Sequence, residues 1–368
     1  MAAFAQRETA SGILTIDLAA LAQNYRDLQS RLAGARLGAV VKANAYGLGA
    51  ARVAQTLRQQ GCRDFFVAHL EEALSLKQEL QKDSNLFVLN GLHPGSEERC
   101  AAADVIPVLN SLAQIQNWSA CARRQGVELP AVLQFDTGMS RLGLSADEAN
   151  ELIGNRALLD GIRILFVMSH LACADDPDSA QNEAQRSLFE KYAASFSGVP
   201  RCFANSGGVF LGSAFHGELG RAGIALYGAN PVMAIDNPMA AVVSLHVRVI
   251  QLRSVPAGAR VGYGGVFVAP QPMRLATIAA GYADGMPRHL SNCGAAYFNG
   301  VRLPFVGRVS MDSITLDISA LPADAIAPGA LVEVIGPHQS LEAVAEDAGT
   351  ISYEILTALG QRYYREYV

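Results

Sequence analysis

The chain has 368 residues, half of them hydrophobic and 17% charged, which excludes a largely disordered chain or a coiled coil and leaves enough apolar sequence for two domains. With 29 Lys and Arg against 34 Asp and Glu the formal net charge is −5, a poor match to phosphate backbones, so nucleic acid is set aside as a partner. No apolar run approaches the ~20 residues that cross a bilayer, and the start, MAAFAQRETASG, lacks the pattern of a secretory leader, so a cytoplasmic location with no membrane attachment is expected.

Asp17 is a good helix N-cap, and Leu18, Leu21, Ala22, Tyr25, Leu28 and Leu32 recur at the spacing of one buried helical face. Short apolar runs then alternate with segments of helical periodicity. They fall at residues 37–41, 65–68, 86–89, 105–109, 132–135, 162–168 and 202–204, with a weaker one near Leu219. Eight such strands predict a parallel (β/α)8 barrel, since an open doubly wound sheet commonly uses about five or six. Past residue 240 the period changes to two: Val243, Leu245, Val247 and Val249 alternate with Ser244, His246 and Arg248. Asn299-Gly300, between residues 295–298 and 301–305, is a hairpin signal because both turn residues tolerate positive φ. Residues 313–318 and 331–335 read as further strands. The expected division is a barrel over residues 12–238 and a C-terminal, mostly β domain over 239–368, joined by the segment 1–11. The six cysteines form no CxxC pair and no two of the seven histidines lie within a helical turn, so buried thiols are expected and a metal site is not.

The first barrel strand runs into VVKANAYGLG, which sets Lys42 at the C-terminal end of an apolar strand, where barrel enzymes assemble their active sites. Burial there disfavours the ammonium form, and a neutral amine attacks a carbonyl to give a Schiff base. Taken alone, a lysine snorkelling to the barrel mouth is the more ordinary reading. Further motifs follow in order: QFDTGMSRLG from Gln134, SHLACAD from Ser169, ANSGG from Ala204, GRAGIALYG from Gly220, AAGYADGMPR from Ala279, VGRVSMD from Val306 and SYEIL from Ser352. The lysine segment, with Tyr46 four residues on, and this ordered set resemble the pyridoxal-phosphate (PLP) dependent alanine racemase family along nearly the whole chain.

The resemblance implies that Lys42 carries PLP covalently and is one of two acid/base groups, with Tyr282 as the other. Inverting a stereocentre through a planar carbanion asks for such a pair, one on each face, with PLP stabilising the carbanion. A phenol ordinarily has a pKa near 10, so Tyr282 needs positive charge or hydrogen bonds nearby, with Arg288 and His170 as candidate helpers. Arg221 would donate to the pyridine nitrogen, and because a guanidinium does not release its proton the ring nitrogen stays unprotonated and the ring a weaker electron sink. Phosphate binding is shared among the Tyr46, Tyr353 and Ser206 hydroxyls and the backbone N–H groups of Gly223 and Ile224, with Asn205 in the same loop as Ser206. His170 would stack on the ring. Arg141 would contact the phenolic oxygen and the substrate carboxylate, helped by the Met311 N–H, with Asp312 orienting that region.

Each of these residues also has a plainer local reading. Tyr282 fits an amphipathic aromatic on a loop, Arg221 a surface ion pair, Arg141 a loop pair with Asp136, and Asn205 to Gly208 an ordinary turn with an N-cap. One position departs from the family. Many members carry a carbamylated lysine two residues before the DTGM segment, and this chain has Gln134 there. No carbamate is expected, and an anion such as chloride beside Arg141 would supply the missing negative charge. The resemblance further implies a head-to-tail homodimer with Tyr282, Met311 and Asp312 reaching into the partner's barrel. Alternatives are a racemase of broader specificity, a barrel PLP decarboxylase, or a non-catalytic PLP carrier. The decarboxylase needs a catalytic cysteine in the β domain, where only Cys293 is available, and a carrier has no use for a second domain. Broad-spectrum relatives in the resembled family often carry leaders and disulfides, and since neither is expected here the resemblance implies alanine over a broad range.

Overall fold

The computed structural model describes residues 6–81 and 83–368. Residues 1–5, part of the expected joining segment and of the start read for a leader, lie outside the described residues. The chain opens with β1 (Gly12–Ile16) and a helix, Leu18–Arg31, whose predicted cap is in place: Asp17 Oδ1 accepts the Ala20 N–H at 2.8 Å. Leu21, Ala22, Tyr25 and Leu28 form its buried face.

Eight parallel strands follow, β2 (Arg36–Val40), β3 (Asp64–Val67), β4 (Asn85–Val88), β5 (Ile106–Leu109), β6 (Leu129–Gln134), β7 (Ile162–Met168), β8 (Arg201–Cys202) and β9 (Leu219–Ala222). They are hydrogen-bonded in the order β8-β7-β6-β5-β4-β3-β2-β9. The two ends meet through Glu218 N–H to the Arg201 carbonyl at 2.7 Å and Arg221 N–H to the Ala204 carbonyl at 2.9 Å, which closes the sheet on itself. Every residue of β3 and β5 is buried, as expected of strands covered on both faces. The Phe87 ring of β4 lies 4.6 Å from Phe66 of β3 and 6.0 Å from Phe166 of β7. Strands β4 and β7 are not neighbours in the sheet, so these rings meet across the barrel interior. The predicted barrel is therefore present. β6 starts three residues before its apolar run and includes Pro130, whose carbonyl accepts the Trp118 indole N–H at 3.2 Å. The strand expected at residues 202–204 is only two residues long, because the chain turns at once into the Asn205 loop.

The second unit contains β10 (Val243–Val255), β11 (Arg260–Val261), β12 (Phe267–Val268), β13 (Met273–Ile278), β14 (Ala295–Phe298), β15 (Val301–Pro304), β16 (Ile314–Asp317), β17 (Leu331–Ile335) and β18 (Tyr364–Tyr367). Compactness divides the chain into Leu21–Ala240 and, as the other unit, Ala241–Val368 with the described residues up to Ala20. The main sheet runs β15-β14-β17-β10-β1-β18. β10 serves two partners: its first half pairs with β1 and β17, and beyond a register shift between Val249 and Gln251 its second half pairs with β13. Along the first half the predicted period of two holds, with Val243, Leu245, Val247 and Val249 buried. The Asn299-Gly300 hairpin joins β14 to β15 with φ of 50° and 79° at its two turn residues. Residues 12–16, read with the barrel from sequence, are instead β1 of this sheet, flanked by β10 and β18. Four of the six cysteines are buried and none is paired; Cys173 is partly buried and Cys293 exposed. Among the described residues no helix is long and apolar enough to cross a membrane.

Within the barrel unit, buried Asn24 fastens the first helix to the end of the domain. Its Nδ2 donates to the Leu226 carbonyl at 3.3 Å and the Ala240 carbonyl at 2.9 Å, and its Oδ1 accepts the Ala240 N–H at 2.8 Å. Asn24→Ala leaves those backbone groups without partners and is expected to cost about 1–3 kcal/mol, read as a lower urea midpoint with unchanged slope; an unchanged midpoint contradicts the role.

Candidate functional site

Val41 N–H donates to the Phe66 carbonyl at 2.8 Å, continuing the β2–β3 ladder one residue past β2, and Lys42 comes next. The chain then takes an unusual course: Ala43, Asn44, Ala45 and Tyr46 all have φ between 52° and 55°, a full turn of left-handed helix ended by Gly47 at φ 86°. For L-residues this costs roughly 1–2 kcal/mol each, Asn being the exception that tolerates it. The turn is held by Gly47 N–H to the Ala43 carbonyl at 2.8 Å, Gly49 N–H to the Asn44 carbonyl at 2.9 Å, and Asn44 Oδ1 accepting the Ala50 N–H at 2.8 Å. Lys42 is partly buried, and burial first, then the positive charge of Arg141, pull its amine below the ordinary lysine range, with Glu72 opposing.

The turn delivers Tyr46 to the loop after β9. A Cβ added at Gly223 would lie 2.4 Å from the Tyr46 hydroxyl, so only glycine allows that approach. The Ser206 hydroxyl, buried, accepts the Gly223 N–H at 2.9 Å and the Ala225 N–H at 3.4 Å, leaving its own proton to donate. Tyr46, Ser206, Gly223 and Ile224 thus converge in one small cradle: the Gly223 N–H is spent on orienting Ser206, and the Tyr46 and Ser206 hydroxyls with the Ile224 N–H are donors of the kind that suits a phosphate. The helix anticipated after the Asn205 loop is a single 3-10 turn, Gly208–Phe210. Asn205 itself braces this loop, donating to the Leu171 carbonyl at 3.1 Å and accepting the Gly208 N–H at 2.9 Å.

Arg221, at 3% exposure, is not the surface ion pair of the plainer reading. Its guanidinium donates to the Cys202 carbonyl and Sγ, both at 2.9 Å, to the Ser169 carbonyl at 2.8 Å, and to His170 Nδ1 at 3.3 Å. With no hydrogen-bonded carboxylate among the described residues, the full positive charge faces the site, a fit for the acceptor nitrogen of a pyridine ring. Because His170 Nδ1 accepts, its ring proton lies on Nε2. Burial, then Arg221, Arg141 and Lys42, hold the imidazole well below its usual range. A neutral His170 brings no positive charge to the site, and its Nε2–H remains as a hydrogen-bond donor.

Arg141 is exposed on the loop after β6. The plainer pairing with Asp136 is not formed: Asp136 Oδ1 instead accepts the N–H groups of Gly138, Met139 and Ser140 at 2.9, 3.0 and 3.1 Å. Gln134 Nε2 donates to the Leu142 carbonyl at 3.1 Å, so this amide shapes the loop without bringing charge to Arg141.

The remaining candidates belong to the second unit. Tyr282 begins a 3-10 turn, Tyr282–Asp284, strapped to the 310–312 segment by Tyr282 N–H to the Ser310 carbonyl and Ala283 N–H to the Met311 carbonyl, both at 3.0 Å. Arg362, missed in the sequence, holds the arrangement: it pairs twice with buried Asp284, at 2.6 and 2.7 Å, and once with Asp312 at 2.7 Å. Arg288 is exposed and makes no hydrogen bond to Tyr282 among the described residues. Tyr353 lies on the helix Ser352–Ala358. A second phenol was also missed. Tyr263 is 71% exposed, against 45% for Tyr282, on a loop with φ of 74°, 73° and 54° at Gly262, Gly264 and Gly265. A Cβ placed on Gly264 would lie 3.1 Å from Arg308 Nη1, so a guanidinium stands beside that loop. The signal in the sequence was a tyrosine set among glycines, GYGG.

The donor set around Lys42, Arg221 and the Gly223 cradle fits a pyridine ring bearing an aldehyde and a phosphate. Gly223→Ala, which drives a methyl into the Tyr46 hydroxyl, is expected to weaken PLP binding by about tenfold or more while the fold is retained; tight binding with an unchanged Kd contradicts the cradle.

Comparison with known proteins is consistent with these features. The family model described as alanine racemase, N-terminal domain, matches residues 16–231, and that described as alanine racemase, C-terminal domain, matches residues 242–367. The catabolic alanine racemase of Agrobacterium fabrum is 60% identical over 98% of this chain and 92% of its own. The alanine racemase of Brucella canis is 55% identical over 98% of this chain and 94% of its own. The crystal structure of alanine racemase from Bartonella henselae with covalently bound pyridoxal phosphate superposes with a TM-score of 0.95 at 46% identity, covering 98% of this chain and all of that one.

Proposed function

The chain belongs to the alanine racemase family, and from that membership we infer that it is a PLP-dependent isomerase that interconverts L- and D-alanine. The observation that carries this reading is the grouping of Lys42 with His170 and the buried, uncompensated Arg221, on a turn that also carries Tyr46 to the Gly223 cradle. PLP, when bound, supplies the electron sink that makes the α-proton of an amino acid removable.

The residues of the chain do the rest. Lys42, its amine pulled below the ordinary range by burial and by Arg141, would accept a proton on one face of the α-carbon. Tyr46, Ser206, Gly223 and Ile224, with Tyr353, would hold the phosphate, and Asn205 keeps Ser206 in position. Arg221 would donate to the ring nitrogen, with neutral His170 as the residue that would stack on the ring. Arg141 and the Met311 N–H bind the carboxylate. The opposing acid/base is a phenol of the second unit, for which Tyr282 and Tyr263 compete. A phenol needs positive charge to serve near neutral pH. The Arg308 guanidinium beside the Tyr263 loop favours Tyr263.

The exposure of Tyr263, Tyr282 and Met311 on a single chain supports a homodimer in which this unit completes the partner's barrel site. The functional boundary between cofactor-binding barrel and β domain is taken at residues 238–241. The enzyme works in the cytoplasm.

Lys42→Ala is expected to abolish covalent PLP attachment and racemisation together; attachment at another residue sinks the assignment. Of the two phenols, Tyr263→Phe is expected to cut turnover by roughly 10²–10⁴-fold and to make deuterium uptake from heavy water unequal for the two enantiomers. The same result from Tyr282→Phe, with Tyr263→Phe near wild type, transfers the role to Tyr282. Mixing the inactive Lys42→Ala and Tyr263→Phe chains should recover activity, because a hybrid dimer regains one intact site, and no recovery rejects the shared site. Finally, because Gln134 cannot be carbamylated, activity is expected to be independent of bicarbonate while chloride lowers the KM for alanine. A KM that ignores chloride removes the anion from beside Arg141.

A further inference from the structure

We propose that Glu72 is a positioning residue for this chemistry: its carboxylate clamps the start of the left-handed turn and thereby fixes where the Lys42 amine stands. Glu72 is the third residue of the helix Leu70–Lys77, and its Oε2 accepts the N–H groups of Ala68 and His69 at 2.8 and 3.1 Å. That much is the ordinary work of an acidic residue in a first helical turn. Its Oε1 does something the helix does not need. It accepts the N–H of Ala43, twenty-nine positions earlier, at 2.6 Å.

Ala43 is the residue directly after Lys42 and the first of the four with positive φ. A run of non-glycine residues in that region persists only where surrounding contacts over-determine it. The bonds to Gly47, Gly49 and Ala50 secure the far end of the turn; at the near end the Ala45 N–H reaches the Val41 carbonyl at 2.9 Å across Lys42, and the Glu72 carboxylate is the side chain that holds the peptide carrying the lysine. One side chain thus ties together the end of β3, the helix that follows it and the residue next to Lys42. Its charge acts on the amine as well. Arg141 and the neutral ring of His170 face Lys42 alongside Glu72; Arg141 disfavours the ammonium form and Glu72 favours it.

The inference rests on Lys42 being the cofactor-bearing residue, and the experiment separates the two. Wild-type and variant holoenzymes are reduced with borohydride across a pH range, the labelled peptide is identified by mass, and the cofactor absorbance is titrated in parallel. Label on a peptide without Lys42 in the wild type overturns the underlying reading and the clamp with it. With label on Lys42, Glu72→Gln is expected to lower kcat by about tenfold or more with little change in the KM for alanine. Because the lost charge favoured the ammonium form, the absorbance midpoint should move to lower pH. Glu72→Asp keeps the charge on a shorter arm, so its midpoint stays near the wild-type value while kcat remains depressed. Wild-type kcat in either variant, or lost kcat in Glu72→Gln with an unmoved midpoint and a lowered thermal transition, overturns the proposal. Should Glu72→Gln fail to fold, Glu72→Asp decides by the same criteria.

Discussion

A partly buried lysine, set just past the end of a barrel strand and followed by a backbone turn of the wrong hand, is the constraint around which this region of the protein is organised. Burial and the positive charge of Arg141 push Lys42 toward the neutral amine. The backbone beside it is forced into a left-handed turn by residues, three of them not suited to that conformation, that have to be held there by their neighbours. The carboxylate of Glu72 from the helix after β3, the amide of Asn44 and two backbone bonds together hold a conformation that local sequence would not adopt alone. The same turn carries Tyr46 to Gly223, so one local distortion orients the amine and one wall of the phosphate cradle.

Arg221 shows a related principle. A buried guanidinium ordinarily acquires a carboxylate partner, since an unpaired buried charge is costly. Here carbonyls, a thiol and an imidazole acceptor satisfy its hydrogen bonds without cancelling its charge. Burial, with the field that results, keeps His170 neutral, and one guanidinium N–H is left as a fixed donor. Four of the five donors are satisfied and charge is retained, a combination suited to a cofactor whose electronic character is to be set by the protein.

Stability and reactivity are drawn from different parts of the chain. β3 and β5 are buried throughout and Phe66, Phe87 and Phe166 fill the barrel, giving a rigid frame. The groups with chemistry sit on the short segments that leave the strand ends, as is general for this architecture. In the second unit Arg362 performs the bracing: by joining Asp284 to Asp312 it binds the Tyr282 turn and the Met311 segment into one presenting surface.

Local pattern was enough for much of this. The eight apolar runs and the switch from a 3.6-residue to a 2-residue period are one-dimensional signals, and they yielded the barrel and the β domain; Asp17 and Asn299-Gly300 act within a few residues of themselves and were legible for that reason. The ordered motifs likewise singled out Tyr46, Ser206 and Gly223, which the fold brings together. Tertiary structure decided what depends on contacts between distant segments. β1 belongs with β10 and β18 because strand pairing is made across more than two hundred residues. Arg362, Glu72 and Arg308 matter through partners far along the chain or beside a loop, and no spacing announces them. The identity of the residues came from the sequence; which charges stand uncancelled, and which backbone turns against its own preference, are set by packing, because energies of that kind exist only when the folded neighbours are in place.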